Sequence, residues 1–308
     1  MLSGFLMMWN YTPTTSVRSY VKKRVMRIYP SYWVYTGAVI CLHFMFKQIM
    51  ARNLIEWIDL NAWGLIRSFL CLPTNVAINE MPIIPPAWTL PYEMFFYFVC
   101  TTMFWQVKKI FNWIISMWTV GILVGYILDL QGLFLRFVLD PVFIEFMLGM
   151  AIAKLSKQRG GKACSIASVV LGTVLLAASW LGENLAVTTI VAMHRIIKFG
   201  IPFTMIIYGS VWLECNYVGN KLHKNWVQPI MLLEKISFSL YLTHYPVLIV
   251  SAMVGNRVGM TAGWNMLFVM VICVLVGVAA HYIVELPLQR LLSKQKQKNM
   301  IQVCKKRL

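Results

Sequence analysis

Charged residues are scarce in this sequence, and their scarcity argues against a soluble protein. Only 13% of the 308 residues are Asp, Glu, Lys or Arg, whereas 59% are hydrophobic. A soluble domain carries about 25% charged residues, because its surface must be hydrated. The mean hydropathy is +0.67. We therefore expect most of the surface of this protein to face lipid.

Acidic residues are the rarer charged type, and the resulting net charge of +17 raises the question of a nucleic-acid partner. The chain has 11 Asp and Glu residues against 28 Lys and Arg residues. The basic residues are concentrated in short loops and near the C-terminus, where the positive-inside rule places them in membrane proteins. We expect no nucleic-acid partner. Residues 291–308 are interpreted as a basic cytoplasmic tail beside anionic membrane lipid.

The sequence also lacks the cysteine and histidine spacings of metal and redox sites. Its seven cysteines form no CxxC pair and no metal-type spacing with histidine. We expect them to be small apolar core residues, and we expect no metal cofactor. Met1 to Trp9 is an apolar run with no basic region before it, so it is not a signal peptide. We expect this run to be the end of a helix that began upstream.

Long apolar runs dominate the sequence, and eight of them are candidates for crossing a membrane. About 20 apolar residues span a hydrocarbon core of about 30 Å, and in lipid each span must be helical or part of a closed barrel. Barrel strands would alternate polar and apolar residues, which these runs do not. The predicted spans are residues 31–46, 88–106, 110–128, 134–153, 163–182, 199–214, 230–253 and 264–285. We expect an all-α, polytopic transmembrane helical bundle of about eight full spans plus a partial N-terminal helix, with one membrane domain over residues 1–290.

Positively charged loops set the predicted orientation. The stretch from Arg18 to Arg27 contains five basic residues and is expected in the cytoplasm, which places the long 47–87 loop outside. The apolar, tryptophan-containing sequence of that loop predicts an amphipathic segment at the membrane interface. Residues 185–197 are expected to dip into the outer face. Arg195 falls on the outer side, against the rule, and is therefore a candidate for binding an anionic acceptor.

Arg24 and Arg27 form the first candidate binding feature. They are three residues apart and share a helix face, and Pro30 is predicted to end or kink that helix. Two guanidinium groups on one face suit a phosphorylated ligand, which each can hold through two hydrogen bonds. The alternative interpretation is simple anchoring of the chain on the cytoplasmic side.

A second candidate feature lies at residues 85–97, where two prolines precede an apolar helix. Trp88 is predicted to anchor the helix at the interface and is a candidate for contacting substrate. Glu93 lies further into the helix, where an ionisable group costs up to about 2.5–3.5 kcal/mol on insertion scales. Its candidate functions are general base, orientation of a histidine, or acceptance of a hydrogen bond from a sugar hydroxyl. The alternative is a structural ion pair with an arginine elsewhere.

The third candidate feature is a polar stripe at residues 236–246, inside an apolar span. Tyr241 and His244 are three residues apart and share a face, and Ser237 lies one turn before Tyr241 on the same side. We expect this stripe to point into the bundle. His244 suits a general base or acid, because imidazole titrates near neutral pH. The alternative is a hydrogen bond from His244 across to another helix.

Three further ionisable residues lie in apolar surroundings. His281 and Glu285 are four residues apart near the end of the last predicted span, and we expect them to pair with each other. Glu145 is another intramembrane carboxylate, and the sequence assigns it no function.

Taken together, these segments resemble the acyltransferase-3 family of bacterial membrane proteins, which includes surface-polysaccharide O-acetyltransferases. The similar motifs, in chain order, are Leu2-Ser3-Gly4-Phe5-Leu6, Arg24 and Arg27 with Pro30, Trp88-Thr89-Leu90 with Glu93 and Tyr97, Ile236 to Pro246, and Glu285 with Pro287. Thr89 stands where the family has serine, and Phe238 stands where it has tyrosine. The resemblance runs through most of the chain.

The resemblance implies a multi-pass protein of the bacterial inner membrane with ten spans and both ends in the cytoplasm. It implies transfer of an acyl group, usually acetyl, from cytoplasmic acetyl-CoA to a hydroxyl of a surface or lipid-linked glycan. The candidate site residues are Glu93, Tyr241 and His244 for catalysis, Arg24 and Arg27 for the acyl donor, and Trp88 and Arg195 for the acceptor.

The sequence departs from the family pattern at its beginning. Family members carry an arginine and a histidine in a first helix, and no residue of this sequence matches that histidine. We expect an N-terminally truncated form, which leaves a catalytically inactive relic as the alternative to a working enzyme. A transporter or flippase is a further alternative, but it predicts inverted repeats and helices broken by paired glycines, which the sequence lacks.

Overall fold

A computed structural model describes most of the chain. The described residues are 1–10, 17–50, 60–73, 81–106, 111–130, 132–157, 161–185, 195–218 and 224–292. Regular secondary structure within these ranges is helical, and they contain no β-strand. The all-α prediction is therefore confirmed for this part of the chain.

The described helices are numbered here in chain order. They are α1 Leu2–Trp9, α2 Val17–Met50, α3 Ala62–Phe69, α4 Leu90–Gln106, α5 Phe111–Ile127, α6 Leu133–Val138, α7 Val142–Leu155, α8 Lys162–Leu185, α9 Ile201–Leu213, α10 Lys224–Arg257 and α11 Ala262–Ala280. A 3-10 helix, Pro85–Thr89, leads into α4. Wider π-helical turns adjoin α9 and α11, at Ile196–Gly200, Glu214–Val218 and His281–Glu285.

Four of the predicted spans correspond to helices that are long and apolar enough to cross a membrane. These are Lys162–Leu181, Ile196–Asn216, Ile230–Arg257 and Ala262–Leu292. A shorter apolar helix covers Asn112–Ile127. The protein is therefore a multi-pass membrane protein, and the total of about eight spans stays a prediction.

The predicted continuous span 134–153 is wrong, because the chain leaves the helix in its middle. α6 ends at Val138 and α7 begins at Val142. The Asp140 carboxylate accepts a hydrogen bond from the Val142 backbone N–H at 2.8 Å, and Pro141 has no N–H to continue a helix from α6. An Asp-Pro pair is a local signal for such a break.

Of the two alternatives predicted for Pro30, an end of the helix is wrong, and a kink stays a prediction. α2 runs from Val17 to Met50 with Pro30 inside it. In a membrane helix such a proline is tolerated, because neighbouring groups satisfy the backbone carbonyl that loses its donor.

The chain forms two compact units, each assembled from two separate stretches of sequence. The first unit comprises Met1–Tyr20 and Tyr92–Lys224, and the second comprises Val21–Pro91 and Asn225–Leu308. Accordingly, α1 and α4 to α9 belong to the first unit, apart from the first two residues of α4. The second unit holds α3 and α11, together with α2 from its fifth residue onward and α10 from its second residue onward.

In the first unit, α1 and α7 approach each other backbone to backbone. A Cβ atom placed on Gly4 would lie 2.1 Å from the carbonyl oxygen of Phe146, and one on Gly149 would lie 2.0 Å from that of Met1. Small residues permit such close approach between helices in lipid, where van der Waals contact drives association. The pairing fixes the position of Ser3, which lies one residue before Gly4.

In the second unit, three aromatic side chains of α2 hold the C-terminal end of α3. Tyr32 donates to the carbonyl oxygen of Ser68 at 2.8 Å. The Trp33 ring N–H donates to that of Phe69 at 2.8 Å, and the Tyr29 hydroxyl donates to that of Leu70 at 3.2 Å. These bonds satisfy carbonyls that have no partner inside a helix. Ser68 is buried while Trp63 is 58% exposed. The predicted amphipathic segment of the 47–87 loop is therefore present as α3.

Two further predictions concern segments that the structure describes only in part. Residues 186–194, which include most of the segment predicted to dip into the membrane, lie outside the described residues. The basic tail at 291–308 lies outside them after residue 292.

Candidate functional site

Glu93 lies in the first unit, in the first turn of α4, and accepts two hydroxyl hydrogen bonds on the same oxygen. Ser3 Oγ donates to Oε1 at 2.7 Å, and the Tyr97 hydroxyl donates to Oε1 at 2.6 Å. Tyr97 is buried and Glu93 is half-buried. The contact with Ser3 joins residues 90 positions apart, and the only sequence signal for it was the presence of both residues in motifs of the resemblance.

Arg195, the cation predicted to lie on the outer side, forms an ion pair with Glu145 of α7. Its Nε and Nη2 atoms lie 2.9 and 2.8 Å from Oε1 of that carboxylate. A carboxylate and a guanidinium in an apolar helical protein are tolerated when they pair with each other. The structure thus gives Glu145 a partner, while binding of an acceptor by Arg195 stays a prediction.

Tyr241 lies on α10 in the second unit and binds the 3-10 helix that carries Trp88. Its hydroxyl donates to the carbonyl oxygen of Pro86 and lies 2.6 Å from Thr89 Oγ1. Because a phenol has one proton and a carbonyl only accepts, Thr89 is the donor in the second bond. Trp88, between these two partners, is half-buried.

A hydrogen bond of His244 indicates which of its two ring nitrogens carries the proton in the neutral form. Nδ1 lies 3.1 Å from the carbonyl oxygen of Leu240, one turn earlier on α10. A carbonyl accepts but does not donate, so Nδ1 carries a proton, and in the neutral ring Nε2 has the lone pair. The His244 and Tyr241 rings are 6.4 Å apart between centroids, which confirms that they share a face. This hydrogen bond stays within α10 rather than reaching another helix.

The predicted inward position of Ser237 is wrong. Ser237 is exposed, and its hydroxyl donates to the carbonyl oxygen of Glu234 in its own helix at 2.7 Å. Ser239 is the buried serine of this stripe, with an exposed fraction of 0%. The difference arises because α10 packs its inner side against α2 and α11 at Ser239, which periodicity alone did not reveal.

The predicted pairing of His281 with Glu285 is confirmed. His281 Nδ1 lies 2.9 Å from Glu285 Oε2, and both side chains are buried. The carboxylate has further partners, since Ser239 Oγ donates to Oε2 at 2.5 Å and Gln289 Nε2 donates to Oε1 at 3.0 Å. Sequence reasoning missed the contact with Ser239, which spans 46 residues.

Arg24 and Arg27 lie on the same uninterrupted helix, α2. Arg24 is half-buried and Arg27 is exposed. A spacing of three residues places them about 60° apart around the helix axis, so the predicted shared face is retained. Their part in binding a donor stays a prediction.

Comparison with known proteins provides the family. A family described as "Acyltransferase domain" matches residues 1–284. The chain is also similar to the exopolysaccharide production protein ExoZ of Rhizobium meliloti (strain 1021), with 25% identity over 299 residues that cover 94% of this chain and 87% of the relative. No solved structure matches the chain. Because the match covers 284 of 308 residues, the chain belongs to this acyltransferase family, and the protein is an acyltransferase enzyme.

Proposed function

We propose that this membrane acyltransferase transfers an acyl group, in the first instance acetyl, from cytoplasmic acetyl-CoA to a hydroxyl group of a surface or lipid-linked polysaccharide. The name of the relative ExoZ, which matches along 94% of this chain, refers to exopolysaccharide production and supports a polysaccharide acceptor. The location that fits this reaction is the cytoplasmic membrane of a bacterium, where acetyl-CoA is available on one side.

The orientation of the His244 ring is the observation that carries the proposal. With Nδ1 bonded to the Leu240 carbonyl, Nε2 is the atom that accepts the proton of the acceptor hydroxyl. The hydroxyl oxygen attacks the carbonyl carbon of the thioester, and the carbon–sulfur bond of the resulting intermediate then breaks. The leaving CoA sulfur takes the proton back from His244, so the base is regenerated.

Substrate binding is proposed for Arg24, Arg27 and Glu93. Arg24 and Arg27 hold phosphate groups of the donor, because guanidinium groups bind phosphate through paired hydrogen bonds. Glu93 accepts a hydrogen bond from an acceptor hydroxyl through Oε2, since both bonds from Ser3 and Tyr97 go to Oε1.

Further roles are proposed for Trp88, Arg195 and Tyr241. Trp88 offers an aromatic surface to the acceptor, and Arg195 offers a cation to an anionic group on it. Tyr241 lies beside His244 and holds the 3-10 helix that carries Trp88 through its bonds to Pro86 and Thr89.

The base is tested with His244→Asn, whose amide nitrogen can replace Nδ1 at the Leu240 carbonyl while providing no proton acceptor. In membrane vesicles supplied with [14C]acetyl-CoA and bacterial surface polysaccharide, we expect base-labile label in the polysaccharide to fall by about 10²–10⁴-fold. The control variant is Ser237→Ala, on the exposed side of the same helix, which is expected to transfer normally. Transfer by His244→Asn at the wild-type rate would exclude His244 as the base.

A further inference from the structure

Glu285 is a buried carboxylate that the proposed reaction does not use. It ends the π-helical turn after α11, inside a candidate membrane span, and its exposed fraction is 2%. Burial of a carboxylate is costly unless hydrogen-bond donors surround it. The structure supplies such donors from Ser239, His281 and Gln289, at 2.5, 2.9 and 3.0 Å. Both carboxylate oxygens are therefore engaged with protein groups.

Ser239 connects this carboxylate to another helix. Its hydroxyl has one proton, which goes to Glu285, so it accepts the hydrogen bond from the Tyr35 hydroxyl at 2.9 Å. The Tyr35 hydroxyl also lies 3.2 Å from the carbonyl oxygen of Ala280. The series of hydrogen bonds from Tyr35 through Ser239 to Glu285 joins α2, α10 and the end of α11.

The central helix of these three carries the proposed base. Tyr241 and His244 follow Ser239 on α10 by two and five residues. A helix of this length is stiff, so a rotation or shift of α10 at Ser239 moves the ring of His244 as well. A misplacement of about 1 Å at a reacting group costs about 10²-fold in rate.

We propose that Glu285 is a positioning residue, which acts through Ser239 to set the rotation of α10 and thereby the orientation of His244. Its effect on the rate rests on the proposed function of His244. Its effect on the geometry of α10 does not depend on any reaction, and it is measurable without substrate.

The test measures how fast diethyl pyrocarbonate modifies His244 in the full chain in lipid nanodiscs, read by mass spectrometry of the His244 peptide. Ser239→Ala removes the connection to α10 and leaves His281 and Gln289 on Glu285. Ser237→Ala is the matched control, because Ser237 is exposed and its hydroxyl bonds within α10, at the Glu234 carbonyl.

We expect Ser239→Ala and Glu285→Gln to change the His244 modification rate by roughly three- to tenfold. This is the change in an equilibrium constant that the loss of one hydrogen bond produces. Ser239→Thr, which restores a hydroxyl, is expected to return the rate toward the wild-type value, and Ser237→Ala to leave it unchanged. With [14C]acetyl-CoA and polysaccharide, kcat of Ser239→Ala is expected to fall by about 10²-fold while KM for acetyl-CoA stays within about threefold.

The two readouts separate the two proposals. If the wild type consumes no acetyl-CoA, the proposed donor is wrong, and the His244 modification rate still decides the role of Glu285. If Glu285→Gln does not fold, Ser239→Ala and Tyr35→Phe carry the same test. A His244 modification rate equal to that of the wild type in folded Ser239→Ala and Tyr35→Phe would overturn the positioning role.

Discussion

The two units of this protein hold their helices together in different ways. In the first unit, α1 and α7 touch backbone to backbone at Gly4 and Gly149, and the nearby carboxylate of Glu93 accepts its bonds from Ser3 and Tyr97 on one oxygen. In the second unit, side-chain hydrogen bonds around Glu285 connect three helices.

The two carboxylates, Glu285 and Glu93, differ in burial and in how many of their oxygens accept hydrogen bonds from the protein. Glu285 is 2% exposed, and both of its oxygens accept hydrogen bonds from protein groups. Glu285 therefore connects helices of the second unit through its hydrogen bonds. Glu93 is half-buried, and its bonds converge on Oε1. This arrangement is consistent with the proposed binding of a substrate hydroxyl at Oε2.

Removing the carboxylate of the second unit is expected to have the largest effect on stability. Glu285→Ala leaves Ser239 and His281 buried without their acceptor, and breaking a buried pair of this kind costs about 3–5 kcal/mol. The measurement is the free energy of unfolding in detergent micelles, with Gln289→Ala as the control, since Gln289 is exposed. A loss below about 1 kcal/mol, the range of exposed pairs, would show that the second unit does not depend on this cluster.

Replacing the carboxylate of the first unit is expected to affect transfer rather than folding. In Glu93→Gln the amide oxygen can still accept from Ser3 and Tyr97, whereas the amide nitrogen takes the place of Oε2 and accepts nothing. We expect acetyl transfer to fall by about 10²-fold or more, with the amount of folded protein unchanged. Transfer is measured with [14C]acetyl-CoA and polysaccharide, and folding by circular dichroism. Normal transfer would mean that Glu93 has no part in the reaction and serves the packing of the first unit alone.

Adding one methyl group between α1 and α7 is expected to have a smaller effect on stability. Gly4→Ala places a Cβ atom 2.1 Å from the Phe146 carbonyl oxygen, so the helices must separate, at about 1–3 kcal/mol. Gly37→Ala is the matched control, because a Cβ atom there meets no heavy atom within 4 Å and alanine favours the helix by up to about 1 kcal/mol. Equal unfolding free energies for the two variants would contradict the close approach of α1 and α7.

Local sequence patterns predicted the parts of the structure that depend on near neighbours. Spacing of three or four residues was enough for the shared face of Tyr241 and His244 and for the pairing of His281 with Glu285. The same reasoning missed the break at Asp140, although the Asp-Pro signal was present, because the sequence on both sides of it is apolar.

Patterns of this kind did not predict contacts between distant parts of the chain. Ser3 meets Glu93 and Ser239 meets Glu285 across 90 and 46 residues, and periodicity does not state which faces of two helices oppose each other. For that reason Ser237 was expected inside and Ser239 received no function, whereas the structure exposes the first and buries the second.

By itself, the sequence determined that this chain is a helical membrane protein, because its composition cannot cover a soluble surface and lipid leaves long apolar segments no partner but their own backbone. Its ordered motifs also determined the acyltransferase family. Only the tertiary structure decided which distant groups meet these carboxylates: the Ser3 hydroxyl for Glu93, the Arg195 guanidinium for Glu145 and the Ser239 hydroxyl for Glu285. The physical reason is that a polar group in an apolar interior is stable only beside a matching group, and packing of helices brings the two together.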